Sequence, residues 1–109
     1  MSGAVQLPQR RRRLPNRRGG ELLDFDHAGR RYTAGVSRFP DGGLGEIFLH
    51  CAKAGSDAAD IAMDAAVVAS LALQHGCPVS TLRKALTRGS DGKAAGPIGA
   101  LLDLLEATP

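Results

Sequence analysis

The stretch ELLDFDHAGRRYTAGVSRFPDGGLGEIFLHC (residues 21–51) decides the fold. Glu21 to His27 alternates, with Leu23 and Phe25 on one face and Leu22, Asp24 and Asp26 on the other. Period-two alternation is the mark of a strand with one buried face. His27-Ala28-Gly29-Arg30 fits a hairpin turn, and Arg31 to Phe39 is a second strand with Tyr32, Ala34 and Val36 together. Pro40-Asp41-Gly42-Gly43 is a turn, because proline presets φ and glycine admits positive φ. Leu44 to Cys51 is a third strand, with Ile47, Leu49 and Cys51 inward and Glu46, Phe48 and His50 outward. Links this short favour an antiparallel meander.

Beyond residue 51 the period changes. Ser56 or Asp57 caps a long helix running to about His75 and stopped at Gly76. Ile61, Ala65, Val68 and Ala72 recur at helical spacing with Val67 and Leu71 beside them, so this stripe is expected to face the sheet. Past Ala65 the helix is apolar nearly all round except at Ser70 and Gln74, which also leaves a face for a partner. Asp57, Asp60 and Asp64 sit near the positive end of the helix dipole. Ser80 is expected to cap a second helix to about Thr87, with Leu82, Ala85 and Leu86 inward. Pro97 opens a third, with Ile98, Leu101, Leu102 and Leu105 as its stripe. The expected fold class is α+β: a three-stranded antiparallel meander packed against a long central helix and two shorter C-terminal helices.

Charge divides the 109 residues. Residues 1–19 hold Arg10, Arg11, Arg12, Arg13, Arg17 and Arg18 and no acid, a charge of +6. Residues 20–109 hold 8 bases and 11 acids, a charge of −3. The organisation expected is a flexible Arg-rich arm over 1–19 and a folded domain over 20–109. The arm lacks an apolar segment after its arginines, so export is not expected and the cytoplasm is the expected location. No run of about 18 apolar residues exists, so no membrane partner is expected.

Candidate chemistry is sparse. His27, His50, His75, Cys51 and Cys77 match no zinc spacing, and no nucleophile has an evident base, so neither a metal nor a catalytic residue is assigned. Asp41-Gly42-Gly43-Leu44-Gly45 lies between two strands rather than before a helix, which disfavours a phosphate loop. A recognition helix at Ser80–Arg88 is disfavoured because the preceding helix is too long. The six arginines of the arm are the candidate binding residues, since guanidinium groups suit phosphates and release counterions from nucleic acid.

Five pieces stand in a fixed order: Arg13-Leu14-Pro15-Asn16-Arg17-Arg18, Tyr32-Thr33-Ala34-Gly35-Val36, Gly45-Glu46-Ile47-Phe48-Leu49, Lys53-Ala54-Gly55-Ser56-Asp57 and Ser70-Leu71-Ala72-Leu73-Gln74-His75-Gly76-Cys77-Pro78-Val79. In order and spacing they resemble the TSCPD domain over about residues 13–88. That domain ends adenosylcobalamin-dependent (class II) ribonucleotide reductases and also occurs as short free-standing bacterial proteins. The tail from Gly96 to Leu105 resembles the ending of the free-standing forms.

Two features depart from the family. The Thr-Ser-Cys-Pro-Asp stretch that names it is absent, and so is the terminal Cys pair of many full-length enzymes. No family cysteine role therefore passes to Cys51 or Cys77. The resemblance implies a link to deoxyribonucleotide synthesis. The length leaves no room for a reductase barrel or a cobalamin site, so adenosylcobalamin is expected only in the associated reductase and no cofactor in this chain. The expected role is an accessory or interaction module with a reductase subunit as partner. The alternative is a nucleotide or nucleic-acid binder using the arm, and the apolar helix leaves a homodimer open.

Overall fold

The computed structural model describes residues 10–15, 20–53 and 56–107. Strands β1 (Gly20–His27), β2 (Arg30–Arg38) and β3 (Leu44–Cys51) form an antiparallel sheet in the order β1-β2-β3. Helices α1 (Asp57–Gln74), α2 (Val79–Ala85) and α3 (Pro97–Ala107) follow. This is the expected α+β architecture.

The β1–β2 turn places Ala28 at φ 51° and Gly29 at φ 76°. Two successive positive φ values match the right-handed strand twist, which favours small or glycine residues there. The register brings Leu22, Gly35 and Phe48 into one cross-strand row and Asp24, Thr33 and His50 into the next. Both rows lie on the face away from the helices. On the opposite face Phe25 stacks on its partner Tyr32, with ring centroids 5.5 Å apart. Tyr32, Ala34, Val36, Ile47, Leu49 and Cys51 are buried there, as the alternation predicts.

Helix α1 begins at Ser56, whose Oγ accepts the Ala59 N–H at 3.2 Å. At its other end the Gly76 N–H donates to the Leu73 carbonyl and the Cys77 N–H to that of Ala72. Gly76, at φ 92°, makes this reversal without Cβ strain. Which face of α1 meets the sheet corrects the sequence reading. Ala59, Ala62, Ala66, Ala69 and Leu73 are buried, while Ile61 and Val68 are 65% and 67% exposed and Val67 and Leu71 are also exposed. The cause is distance: a row of methyl groups lets the helix backbone approach β3 closely, which the larger stripe would prevent. The strand edge then gains hydrogen bonds. The Ser70 hydroxyl accepts the Ile47 N–H at 2.8 Å, and its own hydrogen reaches the Ala66 carbonyl at 2.8 Å or that of Ile47 at 3.1 Å.

Helix α2 starts at Val79, not at a Ser80 cap. Pro78 is the residue before it, with no side-chain cap bond. Leu82 and Leu86 are half-buried and Ala85 is exposed, which removes Ala85 from the expected inward set. Helix α3 buries Ile98, Leu101 and Leu102.

Asp103 locks α3 to the preceding segment. Arg88 grips it with two bonds, Nη1 to Oδ2 at 2.8 Å and Nη2 to Oδ1 at 2.9 Å, and Arg83 Nε reaches Oδ1 at 2.8 Å. Hydrogen bonds from Arg88, then Arg83, hold the Asp103 carboxyl far below the usual carboxylate range. A carboxylate lowered in the folded state adds stability above its unfolded pKa of about 3.9, and that stability is lost as pH falls below it. Asp103→Asn is expected to lower the urea midpoint at pH 7 and to flatten the loss of stability below about pH 4. An unchanged acid limb would mean the cluster contributes nothing.

Candidate functional site

Arg10, Arg11, Arg12 and Arg13 fall within the described residues; Arg17 and Arg18 lie outside them. The arm segment crosses the end of α1 and the β2–β3 turn. The Arg12 N–H donates to the Gln74 carbonyl, and Arg11 Nε donates to Gln74 Oε1 at 2.6 Å. The Gln74 amide in turn donates to the Gly45 carbonyl at 2.9 Å. A buried glutamine with both ends of its amide bonded ties arm, helix and strand together.

Arg12 is also held through its side chain. Its guanidinium carbon lies 3.9 Å from the centroid of the Phe39 ring, and Nη1 is 2.9 Å from Asp41 Oδ2. The Gly43 N–H and then Arg12 hold Asp41 below the usual carboxylate range. Gly45 permits this packing. A Cβ there would meet the Phe39 ring at 2.9 Å and Leu14 Cδ2 at 3.1 Å. Two of the predicted binding arginines are thus engaged with the body of the protein, although all four described ones are exposed.

Arg11 also closes one end of a groove of about 300 Å³ between β3 and α1. Phe48, His50, Met63, Val67 and Leu71 line it, an apolar wall with polar groups at its rim. A second groove, of about 420 Å³, runs along the other side of α1, lined by Ile61, Val68, Leu82, Leu86 and Ile98 together with the carboxylate-bearing Asp64. Helix α1 therefore stands as a ridge between two apolar furrows. The outer sheet face presents Phe48 and Leu22, 53% and 83% exposed, beside acids. Asp24 there accepts the Thr33 hydroxyl at 2.6 Å, and Arg31 pairs with Asp24 and Asp26.

The histidines and cysteines are scattered. The His27 ring meets the Ala95 carbonyl, the His75 ring meets that of Leu71, and His50 is exposed. Cys51 is buried and Cys77 half-buried, both free thiols. Among the described residues no three His, Cys, Asp or Glu side chains gather as a metal site. None of the described helices is long and apolar enough to cross a membrane. The sequence reading missed Gln74, Phe39 and Asp41 as the dock for the arm. The available signal was Ser70 and Gln74, two polar residues four apart in an apolar helix.

Among the described residues the fold is a small α+β domain with one sheet face and one helix ridge exposed and a basic segment fastened beside them. Over 72 residues the chain is 40% identical to the vitamin B12-dependent ribonucleotide reductase of Streptantibioticus cattleyicolor, matching 65% of this chain and 12% of that protein. The enzyme of the same description from Streptomyces coelicolor matches equally well over 7% of its length. That of Agrobacterium fabrum is 32% identical over 81 residues, 74% of this chain and 6% of that enzyme. The chain thus resembles a small segment of these reductases. No family model and no solved structure matches it.

Proposed function

We propose that this chain is a TSCPD-type accessory domain that serves deoxyribonucleotide synthesis by binding a component of a B12-dependent ribonucleotide reductase. The observation that carries this reading is the 40% identity over 72 residues to a segment of such reductases. In this reading the arm (residues 1–19) and the domain (20–109) act together, and adenosylcobalamin belongs to the reductase rather than to this chain. In this reading the chain and its partner share the cytoplasm. The exposed Arg10 and Arg13 and the groove closed by Arg11 supply contact surface of mixed charge and apolar character. The nucleic-acid alternative has less support, because Arg11 and Arg12 are already held by Gln74, Asp41 and Phe39.

The test is binding of the full chain to the B12-dependent reductase of the same organism, followed by gel filtration and by reductase turnover with cofactor and dithiol. Co-elution is expected, and Arg10→Glu with Arg13→Glu is expected to slow association and flatten its salt dependence, since rim charges act on those two quantities. The chain alone is expected to reduce no ribonucleotide. Absence of co-elution, or full turnover by the isolated chain, overturns the reading.

A further inference from the structure

The stripe Ile61, Ala65, Val68 and Ala72 has helical spacing, yet it does not face the sheet. Its large members are about two-thirds exposed, and Ala65 and Ala72 are half-buried. Single exposed apolar residues need no explanation, but a periodic row beside an apolar groove calls for a partner. Ile61 and Val68 form one wall of that groove; Leu82, Leu86 and Ile98 lie on its other side.

We infer that the covering partner is a second copy of this chain, with the two α1 helices packed antiparallel about a twofold axis between Ala65 and Val68. The order of side-chain sizes argues for this arrangement. Reversing the stripe puts Ile61 opposite Ala72 of the second copy, and Ala65 opposite Val68. Every layer then holds one large and one small side chain, so the ridge of each helix fits beside the other's groove. A parallel pairing would oppose Ile61 to Ile61 and Ala72 to Ala72, which crowds one layer and empties another.

Charge selects the same direction. Asp57, Asp60 and Asp64 occupy the N-terminal half of the exposed face of α1. Antiparallel pairing carries Asp57 and Asp60 of the two copies to opposite ends of the contact. Parallel pairing would set acids against acids. A twofold contact of this kind is self-complementary, because each stripe supplies both the large and the small side chains.

This inference is independent of the reductase reading. Light scattering on gel filtration at about 10–100 μM is expected to give a mass near twice 11.3 kDa. Val68→Lys is expected to give the monomer mass with the wild-type circular dichroism spectrum, because the side chain it replaces is exposed. Cross-linking fixes the direction. In a Cys77→Ser background, Ile61→Cys and Ala72→Cys variants mixed and oxidised are expected to join as a mixed disulfide. Each alone is expected to join poorly, since like positions lie roughly 16 Å apart along antiparallel helices.

A monomer across that range overturns the inference, as does a dimer that survives Val68→Lys. Ile61→Cys joining itself efficiently overturns the antiparallel direction. A monomer that still co-elutes with the reductase, and loses it on Val68→Lys, would assign the stripe to that partner instead. The dimer would then fail while the reductase reading stands.

Discussion

Ala62→Leu is expected to cost on the order of 3 kcal/mol of folding stability, among the largest effects of any single change in this chain. Ala62 is completely buried in the face of α1 that lies on β3. Three extra carbons there have no space to enter. Either the helix lifts, which breaks the Ser70 bonds to Ile47, or the new side chain adopts a strained rotamer. At about 4–8 °C per kcal/mol for a domain near this size, the melting temperature is expected to fall by more than about 12 °C. Ala85→Leu is the comparison. Ala85 is also helical but exposed, and its replacement is expected to move stability by less than about 0.5 kcal/mol. Equal effects at the two positions in thermal unfolding would refute the view that an alanine row seats this helix.

Leu101→Ala is expected to cost about 3 kcal/mol, within the range for a buried leucine whose cavity does not collapse. Leu101 and Leu102 have no solvent exposure, and α3 packs against α1, α2 and β1. Three elements therefore share one cavity after the truncation, and none can close it without leaving another partner. Leu104 on the same helix is 41% exposed, so Leu104→Ala is expected to cost well under half as much. Urea unfolding at pH 7 measures both. Hydrogen exchange would show β1 losing protection in Leu101→Ala, because α3 covers the β1 side of the sheet. Comparable midpoints for the two variants would make α3 a peripheral element.

Much of this architecture was legible in the sequence where a local rule decided it. Alternation placed Phe25, Tyr32, Val36, Ile47 and Leu49 inward and Leu22 and Phe48 outward, and each lies as expected. Ser56 is the cap of α1, and in the expected stripe of α3 Ile98, Leu101 and Leu102 are buried while Leu105 is half-buried. The failures occur where the decision was non-local. Hydrophobicity ranks Ile61 and Val68 above Ala62 and Ala69, so a stripe of large residues looks like the core face. Spacing between α1 and β3 ranks them the other way, and no window of sequence carries that distance. Ser80 has a capping side chain, but Pro78 already fixes the φ from which α2 starts.

The arm shows the same division. Its charge was plain, while its dock was not, because Arg11 finds Gln74 at a separation of 63 residues. Nothing near Phe39 or Asp41 in the chain announces that Arg12 rests there. The polar pair Ser70 and Gln74 was visible as an interruption of an apolar helix. Its purpose became clear only beside the backbone of β3.

That purpose reaches beyond folding energy. A strand at the border of a sheet offers its open amide groups to any other chain, and β3 carries Ile47, Phe48 and Leu49 in succession. Ser70 holds the Ile47 N–H and Gln74 holds the Gly45 carbonyl, so a foreign strand finds those positions already taken. The opposite border, β1, carries Glu21, Asp24 and Asp26, charged side chains of the kind that discourage pairing with another strand. Helix α1 is therefore also a guard against amyloid-like stacking, and any change that loosens it exposes the stickiest segment of the chain. Loosening Ser70 or Gln74 is therefore expected to raise the tendency to aggregate, because it reopens the rim of the sheet.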